Sequence, residues 1–167
     1  MKPDMCVPCG DGLINIRAGA IIEKNGKYLM VGNKRSDYLY SVGGRLKFGE
    51  TAEEAIVREV LEETGVQMRV KRLAFVHENY FCGDSPSNLG IPIYELSFYF
   101  IMDVPQDFEP VSKSFTEDQC EEQLFWVEPD TPIKYYPEFL RDELPIRFNG
   151  VKHYATNDIP KQRKESI

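Results

Sequence analysis

The sequence contains few cysteines and no long apolar stretch. Four cysteines among 167 residues are too few for the disulfide framework typical of small secreted domains. No segment approaches the roughly 18 apolar residues of a membrane span, and the first residues, MKPDMCVPCGDG, lack the apolar core of a signal peptide. We therefore expect no membrane partner and a cytoplasmic location.

Positive charge is also in the minority. The formal net charge is -7 at pH 7, and an acidic surface disfavours a stable complex with nucleic acid. An acidic protein that handles anionic small molecules needs bound cations to reverse its local field. With 42% apolar and 28% charged residues and no internal repeats, the composition indicates one globular domain over residues 1–167.

Apolar and β-branched runs bounded by turn residues predict a strand-rich fold. The Asn25-Gly26 turn joins two of these runs, and the segment 82–92, rich in Gly, Pro and Ser, indicates a mobile loop between two others. The predicted strands are 16–24, 27–34, 39–42, 67–81, 92–104 and 123–128, and a second, C-terminal helix is predicted at 137–144.

The main helix carries sequence signals at both ends. Thr51 and, three residues later, Glu54 form a capping box, and Gly65 occupies the position of a left-handed C-terminal stop. At about 100° per residue, apolar and acidic side chains fall on opposite sides of this helix. The apolar group, predicted to pack on a sheet, is Ile56, Val57, Val60, Leu61 and Thr64, and the acidic group is Glu59, Glu62 and Glu63.

The acidic group has two interpretations. Acidic helix faces are usually just solvated, although like charges three and four residues apart destabilise a helix by about 0.2–0.5 kcal/mol per pair. Alternatively, three carboxylates on one face supply the hard oxygen ligands that Mg²⁺ or Mn²⁺ accepts. Gly43, Gly44 and Gly49, which precede the helix, allow the backbone to approach a ligand closely.

The stretch 44–66, GRLKFGETAEEAIVREVLEETGV, matches the Nudix box without a mismatch. The matching positions are Gly44, Glu50, Arg58, Glu59, apolar Val60, Leu61, Glu62, Glu63, Thr64, Gly65 and apolar Val66. The chain thus resembles the Nudix hydrolases over most of residues 14–156. This resemblance implies an α/β (α+β) fold, an α/β/α sandwich with a central mixed β-sheet and the Nudix loop-helix-loop. It also implies an enzyme that cleaves the pyrophosphate bond of a nucleoside diphosphate linked to another moiety.

The resemblance assigns roles to individual residues of the box. Glu59, Glu62 and Glu63, with the backbone of Gly44, correspond to the Mg²⁺ site, for which Mn²⁺ is a substitute. Arg58 corresponds to the residue that orients the carboxylates by salt bridging. Divalent ions can neutralise a pyrophosphate and position a water for attack, so little covalent protein chemistry is required.

The base that takes the proton of the attacking water varies among Nudix enzymes. Glu121 and Glu122, just before the predicted strand 123–128, are candidates outside the box, and Glu59 is the candidate inside it. A solvated strand start is the alternative interpretation of the first two. The sequence does not choose among the three glutamates.

Candidate substrate contacts surround the box. They are Arg35, Arg45, Gly43, Gly44 and Tyr80. The arginines could meet a phosphate, the glycines offer backbone groups, and the tyrosine could stack on a base. Residues 40–44 are YSVGG, without the proline that many Nudix proteins carry before the paired glycines, so this loop does not assign the substrate.

Two function classes remain open: a Mg²⁺-dependent pyrophosphohydrolase and a non-catalytic Nudix-fold sensor or scaffold that binds a nucleotide. The complete set of box carboxylates favours the enzyme, and a homodimer is the expected assembly because dimers are common among Nudix proteins. Cys6 and Cys9 have CxxC spacing without a second CxxC, which indicates free thiols. His77 and His153 have no carboxylate or serine at motif spacing and are interpreted as structural.

Overall fold

The computed structural model describes residues 2–34, 36–110, 114–115 and 121–159. These residues form a mixed α+β structure of twelve strands and two helices, which confirms the predicted fold class. In chain order the elements are β1 (Cys6–Cys9), β2 (Gly12–Ile21), β3 (Glu23–Lys24), β4 (Lys27–Asn33), β5 (Leu39–Ser41), β6 (Gly43–Arg45), α1 (Ala52–Thr64), β7 (Arg69–Cys82), β8 (Pro92–Asp103), β9 (Ser114–Phe115), β10 (Glu121–Val127), β11 (Tyr135–Tyr136), α2 (Leu140–Glu143) and β12 (Lys152–Asn157).

The strands form two mixed sheets. In the first sheet the order is β1-β2-β8-β7-β12, and β6 also pairs with β2; in the second it is β11-β5-β4-β10-β9, and β3 also pairs with β4. The β2–β8 and β7–β12 pairs are parallel, whereas β7 and β8 are antiparallel. Because side chains alternate along a strand, each long strand of the first sheet presents every second residue to the same face.

The ends of α1 agree with the sequence signals. The Thr51 hydroxyl accepts a hydrogen bond from the Glu54 N–H at 3.2 Å, and the Glu54 carboxylate accepts one from the Thr51 N–H at 2.8 Å. Gly65 follows with a φ of 75° and donates its N–H to the carbonyl of Leu61. No helix in the described part of the chain combines the length and the apolar character of a membrane span.

The packed face of α1 differs from the predicted one at three positions: Leu61, Glu63 and Ala55, which is buried although it was not assigned to this face. Ala55, Ile56 and Val60 are completely buried in the core. The assignment of Leu61 to the packed face is wrong, because its side chain is 44% exposed, and Glu63 is only 8% exposed. The glycine-rich strand β6 contacts this helix and lacks the side chains that would keep a carboxylate out.

The sequence did not predict five strands, β1, β6, β9, β11 and β12, nor the length of one helix. β1 turns back onto β2 through Gly10, whose φ is 60°, so β2 begins at Gly12 rather than at residue 16. β6 and β12 are short or polar and carry a weak strand pattern. The predicted helix 137–144 is reduced to the four residues of α2. Pro145, which cannot donate a backbone hydrogen bond, limits it only at its C-terminal end.

Candidate active site

A cavity of about 1390 Å³ is lined by residues of both sheets, of α1 and of the β7–β8 loop. Pockets for small molecules typically measure about 300–1,000 Å³, so this one can hold a ligand of nucleotide size or larger. Glu59, Glu62 and Glu63 all line it, as do Gly43 and Gly44. The structure therefore brings the predicted acidic residues and the paired glycines to one cavity.

Arg58 links three carboxylates, those of Glu50, Glu59 and Glu62. Its guanidinium donates to Glu50 at 2.6 Å, to Glu59 at 2.5 Å and to Glu62 at 3.3 Å, and also to the carbonyl of Arg45 at 3.1 Å. Burial alone would lower the pKa of Arg58, but the hydrogen bonds to Glu50 and Glu59 outweigh it and raise the pKa. In return, the Arg58 hydrogen bonds lower the pKa of Glu50. Arg58 thus stays charged and fixes the positions of its partners.

Glu63 is the most buried of the three box carboxylates. Its Oε1 accepts a hydrogen bond from the Gly43 N–H at 2.9 Å, whereas its buried Oε2 has no hydrogen-bond partner among the described residues. Burial raises the pKa of Glu63 well above its ordinary value, and the nearby Glu122 and Glu59 carboxylates add to this rise. An unpartnered buried carboxylate oxygen is costly unless something else satisfies it.

Glu59 lies directly against the backbone of Gly44. A β-carbon added at residue 44 would sit 2.6 Å from the Glu59 carboxylate, which is closer than real side chains approach. Burial raises the pKa of Glu59, although the hydrogen bond from Arg58 opposes this shift. The glycine at position 44 is therefore required for the carboxylate to occupy this position.

The donor set fits a hard divalent cation. Carboxylate oxygens are the ligands that Mg²⁺ and Mn²⁺ prefer, and the orphaned Oε2 of Glu63 is an oxygen in need of a positive partner. Among the described residues, the structure contains no group of three His, Cys, Asp or Glu side chains that is arranged to hold a metal ion. The guanidinium of Arg58 is the positive group between Glu59 and Glu62.

Of the two candidate bases outside the box, only Glu122 lines the cavity. The Tyr40 hydroxyl donates to Glu122 Oε1 at 2.6 Å, and Asn33 Nδ2 donates to that hydroxyl at 3.2 Å. Neighbouring residues of a strand face opposite sides, which explains why Glu121 is not among the lining residues. The sequence left these two glutamates equivalent, and the strand alternation separates them.

The predicted substrate contacts divide into three groups. Arg45 lines the cavity and donates through Nε to Asn15 Oδ1 at 3.1 Å. Tyr80 does not line it; its ring is 42% exposed and lies 4.8 Å from the ring of Tyr94. Its neighbours in β7 alternate between the faces of the sheet, and Tyr80 is on the face away from the cavity. Arg35 lies outside the described residues.

Six residues that line the cavity were not among the substrate contacts predicted from the sequence. They lie at alternate positions of three adjacent strands, and we call them the polar floor: Asn15, Arg17, His77, Asn79, Glu95 and Ser97. A signal was present in the sequence, since Asn-x-Arg, His-x-Asn and Glu-x-Ser each place two polar residues on one face of a strand.

The sequence indicated free thiols at Cys6 and Cys9 and structural roles for His77 and His153. Cys6 and Cys9 carry free thiols, as predicted. His153 pairs with Glu78 at 3.0 Å. His77, interpreted as structural from the sequence, is buried but also lines the cavity, and burial lowers its pKa.

Known proteins resemble both the sequence and the structure. A family model described as the NUDIX domain matches residues 14–145. An ADP-ribose pyrophosphatase from Methanocaldococcus jannaschii is 39% identical over 67 residues, which cover 38% of this chain and 40% of that protein. The chain thus matches less than half the length of its curated relatives.

Solved structures show the same fold. A Nudix hydrolase from Nitrosomonas europaea superposes with a TM-score of 0.55 at 19% identity, covering 86% of this chain and 79% of that one. An ADP-ribose pyrophosphatase from Streptococcus suis gives a TM-score of 0.54 at 15% identity, covering 84% and 98%. At such identities the likeness concerns the fold alone. Together with the family model, which spans most of the chain, it establishes that the chain belongs to the Nudix hydrolase family.

Proposed function

We propose that this protein is a divalent-metal-dependent pyrophosphohydrolase acting on a nucleoside diphosphate linked to another moiety. The observation that carries the proposal is the carboxylate of Glu63, buried at the cavity wall with Oε2 unpartnered among the described residues and with Glu59 and Glu122 nearby. A divalent cation would satisfy this oxygen and the surrounding negative charge.

Glu59, Glu62 and Glu63, with the backbone of Gly44, would hold the ion, with Mg²⁺ as the expected species and Mn²⁺ as its substitute. When bound, such an ion supplies positive charge against the phosphate oxygens and makes a water easier to deprotonate. Arg58 keeps Glu59 and Glu62 in place through its hydrogen bonds.

Glu122 is the general base that we propose. It lines the cavity on the strand β10, opposite the box carboxylates on α1, and its carboxylate is held by the Tyr40 hydroxyl at 2.6 Å. A base must be within reach of the proton that it removes, and Glu122 is close enough to Glu63 to raise that residue's pKa. Glu59 is the weaker candidate because Arg58 already occupies its Oε1.

Two similar proteins are described as ADP-ribose pyrophosphatases, which makes ADP-ribose the first compound to test. Arg45 lines the cavity, and we propose that its guanidinium contacts a phosphate. The cytoplasmic location and the homodimer expected from the sequence stay predictions.

The test is a hydrolysis screen with purified protein and Mg²⁺. The panel contains ADP-ribose, nucleotide sugars, dinucleoside polyphosphates, NADH and nucleoside triphosphates, and released phosphate is measured after phosphatase treatment. We expect metal-dependent hydrolysis that EDTA abolishes and that Glu62→Gln reduces about 100-fold or more. Glu53→Gln, an exposed change on the same helix, is the matched control.

Binding of a nucleotide without turnover would contradict the enzyme assignment. It would favour the sensor or scaffold alternative, particularly if Glu62→Gln left the binding affinity unchanged.

A further inference from the structure

The polar floor is built from direct cross-strand neighbours. In the first row, Asn15 of β2 pairs with Glu95 of β8, which pairs with Asn79 of β7. In the second row, Arg17 pairs with Ser97, which pairs with His77. Paired residues lie on the same face of a sheet, and so do residues two apart in one strand. The six side chains therefore form a continuous two-by-three surface.

Glu95 lies at the centre of the first row with both carboxylate oxygens fixed. Its Oε2 accepts from Asn15 Nδ2 at 2.8 Å and its Oε1 accepts from Ser97 at 3.1 Å. Asn15, Glu95 and Ser97 are 6%, 9% and 2% exposed. Each carboxylate oxygen can accept more than one hydrogen bond, so Glu95 retains capacity for donors of a ligand.

The other side of the floor is fixed by the neighbouring strand β12. Thr156 donates its hydroxyl hydrogen to Asn79 Oδ1 at 2.6 Å, and the Thr156 hydroxyl oxygen itself lies 2.8 Å from His77 Nε2. Because a hydroxyl has one hydrogen, His77 Nε2 must be the donor in the second contact. The amide nitrogen of Asn79 has no hydrogen-bond partner among the described residues and is available to a ligand.

The floor begins beside the predicted metal site. Arg17 donates to the carbonyl of Gly43 at 3.0 Å and lies 3.9 Å from Glu95. The N–H of the same glycine is bonded to Glu63. A group attached to a phosphate near Glu63 would therefore have the floor as its next neighbour.

The chemistry of the floor favours a hydroxylated group. None of the six residues has a benzene or indole ring on which a nucleobase could stack. Such rings line the cavity outside the floor, at Phe81, Tyr99 and Phe139 and at Tyr38 and Tyr136, whose ring centroids are 5.0 Å apart. Arg17 and Glu95 lie 3.9 Å apart and offset each other's charge, so the floor lacks the net positive charge that would favour a further phosphate. The amide, hydroxyl and carboxylate groups of the floor need both hydrogen-bond donors and acceptors from a ligand. Sugar hydroxyls supply both, because each hydroxyl can donate and accept.

We propose that the polar floor binds the hydroxyl groups of a sugar joined to the distal phosphate, so that the preferred substrates are nucleoside diphosphate sugars. This inference rests on the hydrolase function proposed above. Sites that hydrogen-bond a substrate hydroxyl reject compounds that lack it, because their buried polar groups are then left unpaired. The floor thus acts in specificity, while the box carboxylates act in the reaction.

The experiment compares compounds that differ only beyond the diphosphate. Steady-state kinetics are measured with ADP-ribose and ADP-glucose, which carry a distal sugar, and with ATP, which carries a phosphate in its place. UDP-glucose and UTP form a second pair in case the nucleoside matters. The variants are Asn79→Ala and Glu95→Gln. Glu78→Gln is the matched control, since Glu78 neighbours Asn79 in β7 but does not line the cavity.

We expect the unmodified protein to prefer the sugar-linked member of a pair by about 100-fold or more in kcat/KM. Asn79→Ala and Glu95→Gln should each lower kcat/KM for the sugar-linked compound about tenfold or more, mainly through KM, with less than about a twofold change for the triphosphate. A misfolded variant would lose both activities equally. Asn79→Ala, at a half-buried position, keeps the test decisive if Glu95→Gln does not fold.

Several outcomes would overturn the proposal. Equal losses on both members of a pair, or a preference for the triphosphate, would show that the floor does not read a distal sugar. If 2′-deoxyADP-glucose removes the effect of Asn79→Ala, the floor holds the nucleoside ribose instead. The absence of metal-dependent hydrolysis of every compound would overturn the hydrolase function itself, which distinguishes that failure from a failure of the floor alone.

Discussion

The Tyr40 hydroxyl donates a 2.6 Å hydrogen bond to Glu122 Oε1, which ties β10 to the strand β5 that leads into the Nudix box. Burial and this hydrogen bond both raise the pKa of Tyr40, so the hydroxyl remains protonated and remains a donor. The contact orients one specific carboxylate of the Glu121-Glu122 pair toward the cavity.

Glu122→Gln should lower kcat about 100-fold, because general bases contribute about 10²–10⁴-fold to a rate. KM should change little, because the amide keeps an acceptor for Tyr40. The measurement is steady-state kinetics at saturating Mg²⁺ on the best compound of the screen. Glu121→Gln is the neighbouring control and should retain nearly full activity. Equal losses in the two variants would show that Glu122 has no special role.

Glu63→Gln should lower activity without lowering the stability of the metal-free protein. The amide oxygen can still accept from the Gly43 N–H, while the cost of burying a negative charge disappears. We expect turnover to fall about 100-fold or more, and the Tm of the metal-free protein, followed by circular dichroism, to stay unchanged or rise. A lower Tm in EDTA would mean that the charged carboxylate stabilises the metal-free fold.

Gly44→Ala should impair turnover and metal binding, whereas Gly43→Ala should destabilise the fold. At residue 44 the atoms nearest to the new β-carbon are those of the Glu59 carboxylate, at 2.6 Å, so turnover and metal affinity should fall with little loss of Tm. At residue 43 the φ is 140° and the new atom would sit 2.2 Å from the carbonyl oxygen of Ala18, so unfolding should become easier by about 1–3 kcal/mol. Thermal melts and Mg²⁺ titrations of both variants test this prediction. Equal changes in Tm and in Mg²⁺ affinity for the two variants would contradict it.

The stabilising effect of Mg²⁺ should grow with pH. Burial raises the pKa of Glu63 above its ordinary value of 4.5, so in the metal-free protein this group contributes stability below pH 4.5 that is lost as pH rises through the raised pKa. A cation binds the ionised form and restores the loss at higher pH. The increase in Tm on adding Mg²⁺ should therefore be larger at pH 8 than at pH 5.

Glu63→Gln supplies the reference for this pH effect. The variant should show a smaller difference between the two pH values, because its amide does not titrate. An increase in Tm that is equal at both pH values in the unmodified protein would contradict the linkage.

Local signals were readable from the sequence, and long-range ones were not. The bounds of α1 follow from Thr51, Glu54 and Gly65, which act within a few residues of each other. The burial of Glu63 depends on the Gly43 N–H, twenty residues earlier in the chain, and helical periodicity contains no information about that strand.

The polar floor shows the same limit over a longer distance. Asn15 and Glu95 are 80 positions apart and become neighbours only through the parallel pairing of β2 with β8. Each strand taken alone shows two polar residues at alternate positions, which a solvent-facing sheet would also show. The pairing turns these separate patterns into one surface.

Thr156, on the edge strand β12, completes the hydrogen bonds of His77 and Asn79. During synthesis on a ribosome, the Nudix box emerges some ninety residues before this threonine, at about 5–20 residues per second. A nascent chain or a prematurely terminated product would thus carry every box carboxylate while one wall of its cavity is missing. If the polar floor acts as proposed, selectivity among substrates is acquired only after translation has passed β12.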